Sequence, residues 1–340
     1  MSTDFEAIDP YLRGAAFPGV DNWPYPRADP MDFRLPQDTW ATAQLPVGVR
    51  LEFATDAEAV EIDYSCATDD LGYRGAGAGT TFEAWRGDEV VASAPAQVGR
   101  NVARLSPVAG DGKVVVAVPE GMRPTIHGIR AVGGSLTAAP AEPRWIAYGD
   151  SITEGWTASS PGRAWPAIAG RAYGLDHVNL GYAGSCRGEI ASAEQVSGLP
   201  ADVITLAYGT NCWSRPPHST GMLREGMRAW VSIVREGHPT TPIVVLSPIV
   251  RPEADNTPNR LGASLSDLRA VVEEVAEELK AAGDKNISLI PGANLITAEQ
   301  LSDGVHPTDE GQVILARVVG QAVAAAVGNG VGSGVGTDRG

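Results

Sequence analysis

The chain has 340 residues, 43% of them hydrophobic and 20% charged, with a net charge of −15. That length exceeds one typical domain and supplies ample material for a core, so two domains are expected. The strongly negative field repels phosphate backbones and anionic lipid surfaces, so neither nucleic acid nor a membrane is an expected partner.

Residues 1–40 are rich in Pro, Asp and aromatics ("DNWPYPRADPMDFRLPQDTW"). They predict an extended arm that packs on the next domain through Trp23, Tyr25, Phe33 and Trp40. The opening residues have neither a basic nor an apolar signal-peptide region, and no run reaches the roughly 18 apolar residues of a membrane span. A cytoplasmic address is therefore expected.

From 41 to 133 the pattern is strand-like. "VRLEF" alternates Val49, Leu51 and Phe53 with Arg50 and Glu52, and "AVEIDY", "TTFEAW", "EVVASA", "NVARL", "KVVVAV" and "PTIHGIRAV" follow. Short alternating runs separated by turn signals, without helical periods, predict an all-β sandwich of jelly-roll type. "GGSLTAAPAEP", from Gly133 to Pro143, reads as a linker, with 134–143 as its bounds.

The pattern changes over 144–327. Wholly apolar strands ("WIAYG", "HVNLGYA", "DVITLAYG", "PIVVLSPI", "NISLIPG") alternate with helical stretches, among them "TGMLREGMRAWVSIVREG" and "SLSDLRAVVEEVAEELKAAG". The second of these helices opens on a capping-box-like pair, Ser264 and Asp267. Apolar strands separated by helices predict a parallel sheet covered on both faces, an α/β architecture. Residues 328–340 form a Gly-rich tail that is expected to be disordered.

Ligands of an open parallel sheet bind beyond the carboxyl ends of its strands. Four polar clusters fall there: Asp150 and Ser151; Gly181, Gly184 and Arg187; Gly209 and Asn211; Asp303 and His306. Acyl transfer needs a nucleophile, a base to take its proton, a group that fixes the tautomer of that base, and donors for the developing oxyanion. Ser151 suits the first role, His306 the second and Asp303 the third. The N–H groups of Ser151 and Gly184 and the amide of Asn211 suit the oxyanion hole. Ser151 alone would more often cap a helix; the other three clusters favour chemistry.

"GDSIT", the glycine of "GYAGS", "GTN" and "DGVHP", in this order, resemble the four sequence blocks of the GDSL/SGNH hydrolases, over residues 145–327. The resemblance implies a three-layer α/β/α flavodoxin-like fold and a serine-dependent acyl transfer without metal or organic cofactor. It implies Ser151, Asp303 and His306 as a triad and Ser151, Gly184 and Asn211 as the oxyanion hole. Gly181 also fits the second block loosely; Gly184 lies further past the strand. Cys212 stands where the family often has Asp. The serine does not sit in a G-x-S-x-G elbow, which disfavours the α/β-hydrolases.

Trp213, two residues past Asn211, is the candidate substrate-lining aromatic, while Trp156 and Trp165 read as core. Arg187 reads as a salt-bridge partner. Cys66, Cys186 and Cys212 are widely spaced without a CxxC pair and read as inert buried thiols. A metal site from Asp303, His306, Asp309 and Glu310 is disfavoured, because two acidic residues suit the first turn of a helix. The layout resembles carbohydrate esterases and SGNH acyltransferases. The expected activity is an esterase acting on a small acylated, sugar-type or oligosaccharide ester. Acyl transfer to a hydroxyl acceptor is the alternative, and a non-catalytic glycan-binding protein is a third reading. Oligomeric state is not legible.

Overall fold

Pro36 fixes the backbone just before a short helix, α1 (Gln37–Ala43), with Asp38 in its first turn where negative charge is favoured. The computed structural model describes residues 4–20, 22–71 and 79–331; of the tail 328–340, expected to be disordered, 328–331 instead continue the last helix and 332–340 lie outside the described residues. The arm is not simply laid on the antiparallel sheets. Its strand β1 (Leu12–Arg13) and Tyr25 join them, but Ala28, Leu35 and Ala43 are buried in the core beneath the parallel sheet. Phe33, expected to anchor the arm, is 95% exposed.

Eight more strands follow: β2 (Arg50–Thr55), β3 (Ala59–Cys66), β4 (Thr81–Arg86), β5 (Glu89–Pro95), β6 (Gly99–Leu105), β7 (Val114–Ala117), β8 (Pro124–Val132) and β9 (Leu136–Ala138). All pairings among them are antiparallel, in one sheet ordered β1-β2-β7-β4-β5 with β9 also on β2, and in a second ordered β6-β3-β8. The period of two explains their common core. Val60, Ile62 and Tyr64 point in from β3 to meet Leu51 and Phe53 of β2, while Glu61 and Asp63 point out and pair with Arg104, Arg130 and Arg100. The stretch read as a linker is in part β9, with Ala138 opposite Phe53.

The five remaining strands are β10 (Arg144–Gly149), β11 (Asp176–Gly181), β12 (Val203–Ala207), β13 (Ile243–Leu246) and β14 (Ile287–Ile290), all parallel, in the order β11-β10-β12-β13-β14. Counted within this sheet the order is 2-1-3-4-5, the flavodoxin-like winding, whose direction reverses between β10 and β12. Between them run α2 (Ser151–Glu154), α3 (Trp165–Tyr173), α4 (Ile190–Gly198), α5 (Thr210–Ser214), α6 (Thr220–Gly237), α7 (Pro252–Asp255) and α8 (Leu265–Ala281); α9 (Asp309–Val331) closes the chain.

Both sheet faces are covered. Ile146, Tyr148, Ile204 and Leu206 pack against α4, α6 and α8, where Trp230, Leu268 and Val272 are fully buried. Trp145, Ala147 and Val203 pack against α3 and α9 through Trp165, Leu315 and Val319. By length and composition Asp309–Gly328 is apolar enough to cross a membrane, contrary to the expectation that no run would qualify. Its valines and alanines raise the mean hydropathy, while Gln312, Arg317 and Gln321 keep it from being an unbroken apolar run. Its Leu315, Ala316, Val319 and Val323 lie in the sheet core, the packing of a core helix.

Candidate active site

Strand β10 ends at Gly149, where a Cβ would lie 2.1 Å from Thr153 Oγ1 and 2.4 Å from the Ala207 carbonyl. Only glycine allows the chain to turn there directly into α2. Asp150 caps that helix, its carboxylate accepting from the Ile152 N–H at 3.0 Å. Ser151 therefore stands at the first position of α2, beside the point where the strand order reverses. Burial pushes the Asp150 carboxyl up to about 7, although N–H groups of Ile152 and Thr210 favour its charged form.

The loop after β14 brings Asp303 and His306 to Ser151. Asp303 Oδ1 accepts from the backbone N–H groups of Val305 at 3.0 Å and His306 at 2.9 Å, an Asx turn that folds the imidazole over its own carboxylate. Asp303 Oδ2 lies 2.7 Å from His306 Nδ1, and His306 Nε2 lies 2.8 Å from Ser151 Oγ. A carboxylate only accepts, so Nδ1–H donates to Asp303 and Nε2 is left to accept the serine proton. Burial opposes ionisation of Asp303, but its hydrogen bonds from the His306 ring and backbone outweigh this and hold it below the usual carboxylate range.

Two contacts fasten the serine segment to the histidine loop. Thr157 Oγ1 donates to the Pro307 carbonyl at 3.1 Å, and Ser159 donates to Asp309 from its N–H at 2.9 Å and its hydroxyl at 2.5 Å. Trp156 stands against the imidazole, ring centroids 6.1 Å apart, and packs on Leu45 and Val47 from the arm side. The sequence offered no local sign of that neighbour, since Leu45 and Val47 lie more than a hundred residues upstream.

The second and third clusters end on the same strand edge. Gly181 closes β11 against α2, where a Cβ would lie 2.2 Å from the Glu154 nitrogen; it is a packing glycine. Gly184 lies beyond it with φ +69°, the left-handed region, and a Cβ there would meet nothing within 4 Å. Its backbone shape rather than crowding calls for glycine. Asn211, in α5, donates from its amide to the Cys186 carbonyl at 3.2 Å, which ties the two loops together. With cysteine at 212, that loop is held through the backbone: the His218 N–H donates to the Cys212 carbonyl at 2.7 Å, and Asn259 donates to the His218 carbonyl at 2.9 Å.

Trp213 is half-buried. Its indole N–H donates to the Thr257 carbonyl at 2.7 Å, and Arg251 stacks on its ring at 4.8 Å. Arg187 is committed to salt bridges with Asp38 at 2.6 Å and Glu189 at 3.4 Å. Burial pushes the thiols of Cys186 and Cys212 well above the usual range, and that of Cys66 up to about 12, which makes them poor nucleophiles. No group of three or more His, Cys, Asp or Glu side chains disposed to hold a metal occurs among the described residues.

Residues 142–324 match the model of the GDSL-like Lipase/Acylhydrolase family. No curated protein sequence matches the chain significantly. Among solved structures the chain is similar to the salicylyl-acyltransferase SsfX3 from a tetracycline biosynthetic pathway, with 28% identity, TM-score 0.78, and 93% of this chain and 94% of that one covered. It is similar to a protein of the GDSL-like lipase type from Bacteroides ovatus ATCC 8483, with 20% identity, TM-score 0.76, and 93% and 95% covered. It is also similar to a family two carbohydrate esterase from Clostridium thermocellum solved with cellohexaose, with 14% identity, TM-score 0.63, and 83% and 93% covered.

Proposed function

Since the chain belongs to the GDSL-like lipase/acylhydrolase family, we propose that it is a serine-dependent acylhydrolase working through an acyl-enzyme on Ser151. The observation that carries this reading is the unbroken line Asp303–His306–Ser151, with links of 2.7 and 2.8 Å, at the strand ends where such sheets bind ligands. Ser151 Oγ attacks the ester carbonyl as its proton passes to His306 Nε2. Asp303 holds the Nδ1–H tautomer and stabilises the imidazolium that forms. The imidazolium then protonates the departing alcohol. Water, deprotonated by the same ring, releases the acid from Ser151.

The N–H groups of Ser151 and Gly184 and the second amide hydrogen of Asn211 are read as the oxyanion donors. Trp213, braced by Arg251 and Thr257, is read as a wall of the substrate cleft. Residues 41–133 are read as a β-sandwich domain and 144–327 as the catalytic domain. The substrate class is a small acylated, sugar-type ester, supported by likeness in fold to a carbohydrate esterase.

A second reading, transfer of the acyl group to a hydroxyl acceptor, is favoured by the similarity to the salicylyl-acyltransferase over nearly the whole chain. The two differ only in what reaches the acyl-enzyme. Hydrolysis of p-nitrophenyl esters of increasing chain length by wild type and Ser151→Ala tests the common mechanism, with a loss of at least about 10³-fold expected. Equal rates would sink the serine mechanism. Adding alcohols and sugars then separates the readings: product diverted from acid to new ester means transfer.

A further inference from the structure

The arm reaches the site from behind through one cation. Arg27 is 1% exposed. Its guanidinium donates to the carbonyl of Leu45 at 2.7 Å, to that of Thr42 at 2.6 Å and to that of Gly181, and it pairs with Glu154 at 3.4 Å. Two of these partners are Thr42 of α1 and Leu45 just beyond it. The other two belong to the ends of β11 and α2.

Glu154 ends the helix that Ser151 begins. It is fully buried, and its Oε2 accepts from the Ala183 N–H at 2.7 Å. The Tyr182 hydroxyl donates to the Arg27 carbonyl at 2.7 Å. Residues 181, 182 and 183 are thus each bound to Arg27 or to its acidic partner, and Gly184 is next. The Gly184 carbonyl itself accepts from Arg187 at 3.1 Å, and the same nitrogen of Arg187 donates to Asp38 of α1 at 2.6 Å.

Burying a cation this completely is a poor route to stability, because well-packed apolar groups do as well. A guanidinium with its donors in a rigid fork is a good route to fixing geometry. Geometry is what an oxyanion donor needs, since small misplacements cost rate rather than binding. We propose that Arg27 is a positioning residue: with Glu154 it sets the 181–184 backbone so that the Gly184 N–H meets the oxyanion. This rests on the acyl-enzyme reading of Ser151. It places part of the machinery outside residues 142–324, the stretch that matches the family model.

The test uses the full chain, with p-nitrophenyl acetate as substrate. Arg27→Lys keeps the charge but loses the fork. It is expected to lower kcat about 10- to 100-fold with KM changed less than about threefold. The pH midpoint of kcat/KM should stay that of wild type, because the His306–Asp303 pair is untouched. Glu154→Gln, which still offers an acceptor to Ala183, should lower kcat by about threefold to tenfold. The double variant should lose less than the product of the two single losses. Folded Arg27→Lys enzyme with wild-type kcat overturns the proposal, as does a shifted pH midpoint. If Arg27→Lys does not fold, Glu154→Gln decides by the same criteria, and full kcat there overturns it. Ser151→Ala, run in parallel, separates the two failures: activity surviving in that variant sinks the serine mechanism whatever Arg27 does.

Discussion

In the proposed mechanism His306 works only as a neutral ring, because it must accept the Ser151 proton before it can return it. The value of kcat/KM should therefore rise with pH on the acid side and level off once the imidazole is neutral. A profile with no fall on the acid side would argue against His306 as the base. Replacing Asp303 with Asn removes the acceptor that selects the Nδ1–H tautomer, and the loss in kcat should be at least about 10²-fold. Asp150 makes a different prediction. Its carboxyl is raised from an ordinary 3.8 to about 7, chiefly by burial. Between those values the folded chain binds a proton that the unfolded chain has released, so this group's contribution to stability falls as pH climbs. Asp150→Asn keeps an oxygen for the Ile152 N–H and cannot ionise. Its melting temperature should gain on that of wild type from about pH 4 to about pH 7, and parallel pH curves for the two would refute this.

Elements with long periodic faces and the short apolar strands were legible, and the short helices were not. Strand β8 and helix α6 occupy the residues their patterns marked, Pro124–Val132 and Thr220–Gly237. Helix α8 opens on the expected box: Ser264 Oγ accepts from the Asp267 N–H at 3.1 Å, and Asp267 accepts from the Ser264 N–H at 2.9 Å. Ser264→Ala should therefore cost about 1 kcal/mol in chemical denaturation while activity is kept; no change would mean that α8 is held by its buried face alone. Helices α1, α2, α5 and α7 run for seven residues or fewer. Such segments are marginal on their own and form only because the fold supplies their packing.

At the scale of the whole molecule, the antiparallel sheets and the parallel sheet meet over a charged joint. Arg50 of β2 pairs with Glu52 at 2.6 Å and with Asp176 of β11 at 2.9 Å. Lys113 bridges Glu52 and Glu142, and Arg144 also reaches Asp176. Trp85 of β4 lies beneath Arg171, and a Cβ on Gly162 would lie 2.3 Å from its ring nitrogen. Arg50→Met would leave buried Glu52 with Lys113 alone and Asp176 with Arg144 alone, so the unfolding free energy should fall by up to about 3 kcal/mol. An unchanged denaturation midpoint would show the joint to be held by packing alone.

By itself the sequence determined the alternation of apolar strands and helices, the polar clusters just past the strand ends, and the order in which Ser151, Gly184, Asn211, Asp303 and His306 occur. Those are local signals, carried by periodicity and by glycine and turn chemistry within a few residues. Only the tertiary structure decided that Ser151 and His306, 155 positions apart, lie within a hydrogen bond. It also decided that Arg27 is buried against Gly181, 154 positions away, and that half of the arm belongs to the core under the parallel sheet. An arginine among prolines carries no periodicity, and its partners are backbone carbonyls, which every residue type presents alike. Which of those carbonyls it would meet is set by sheet order and by how the two parts of the molecule dock.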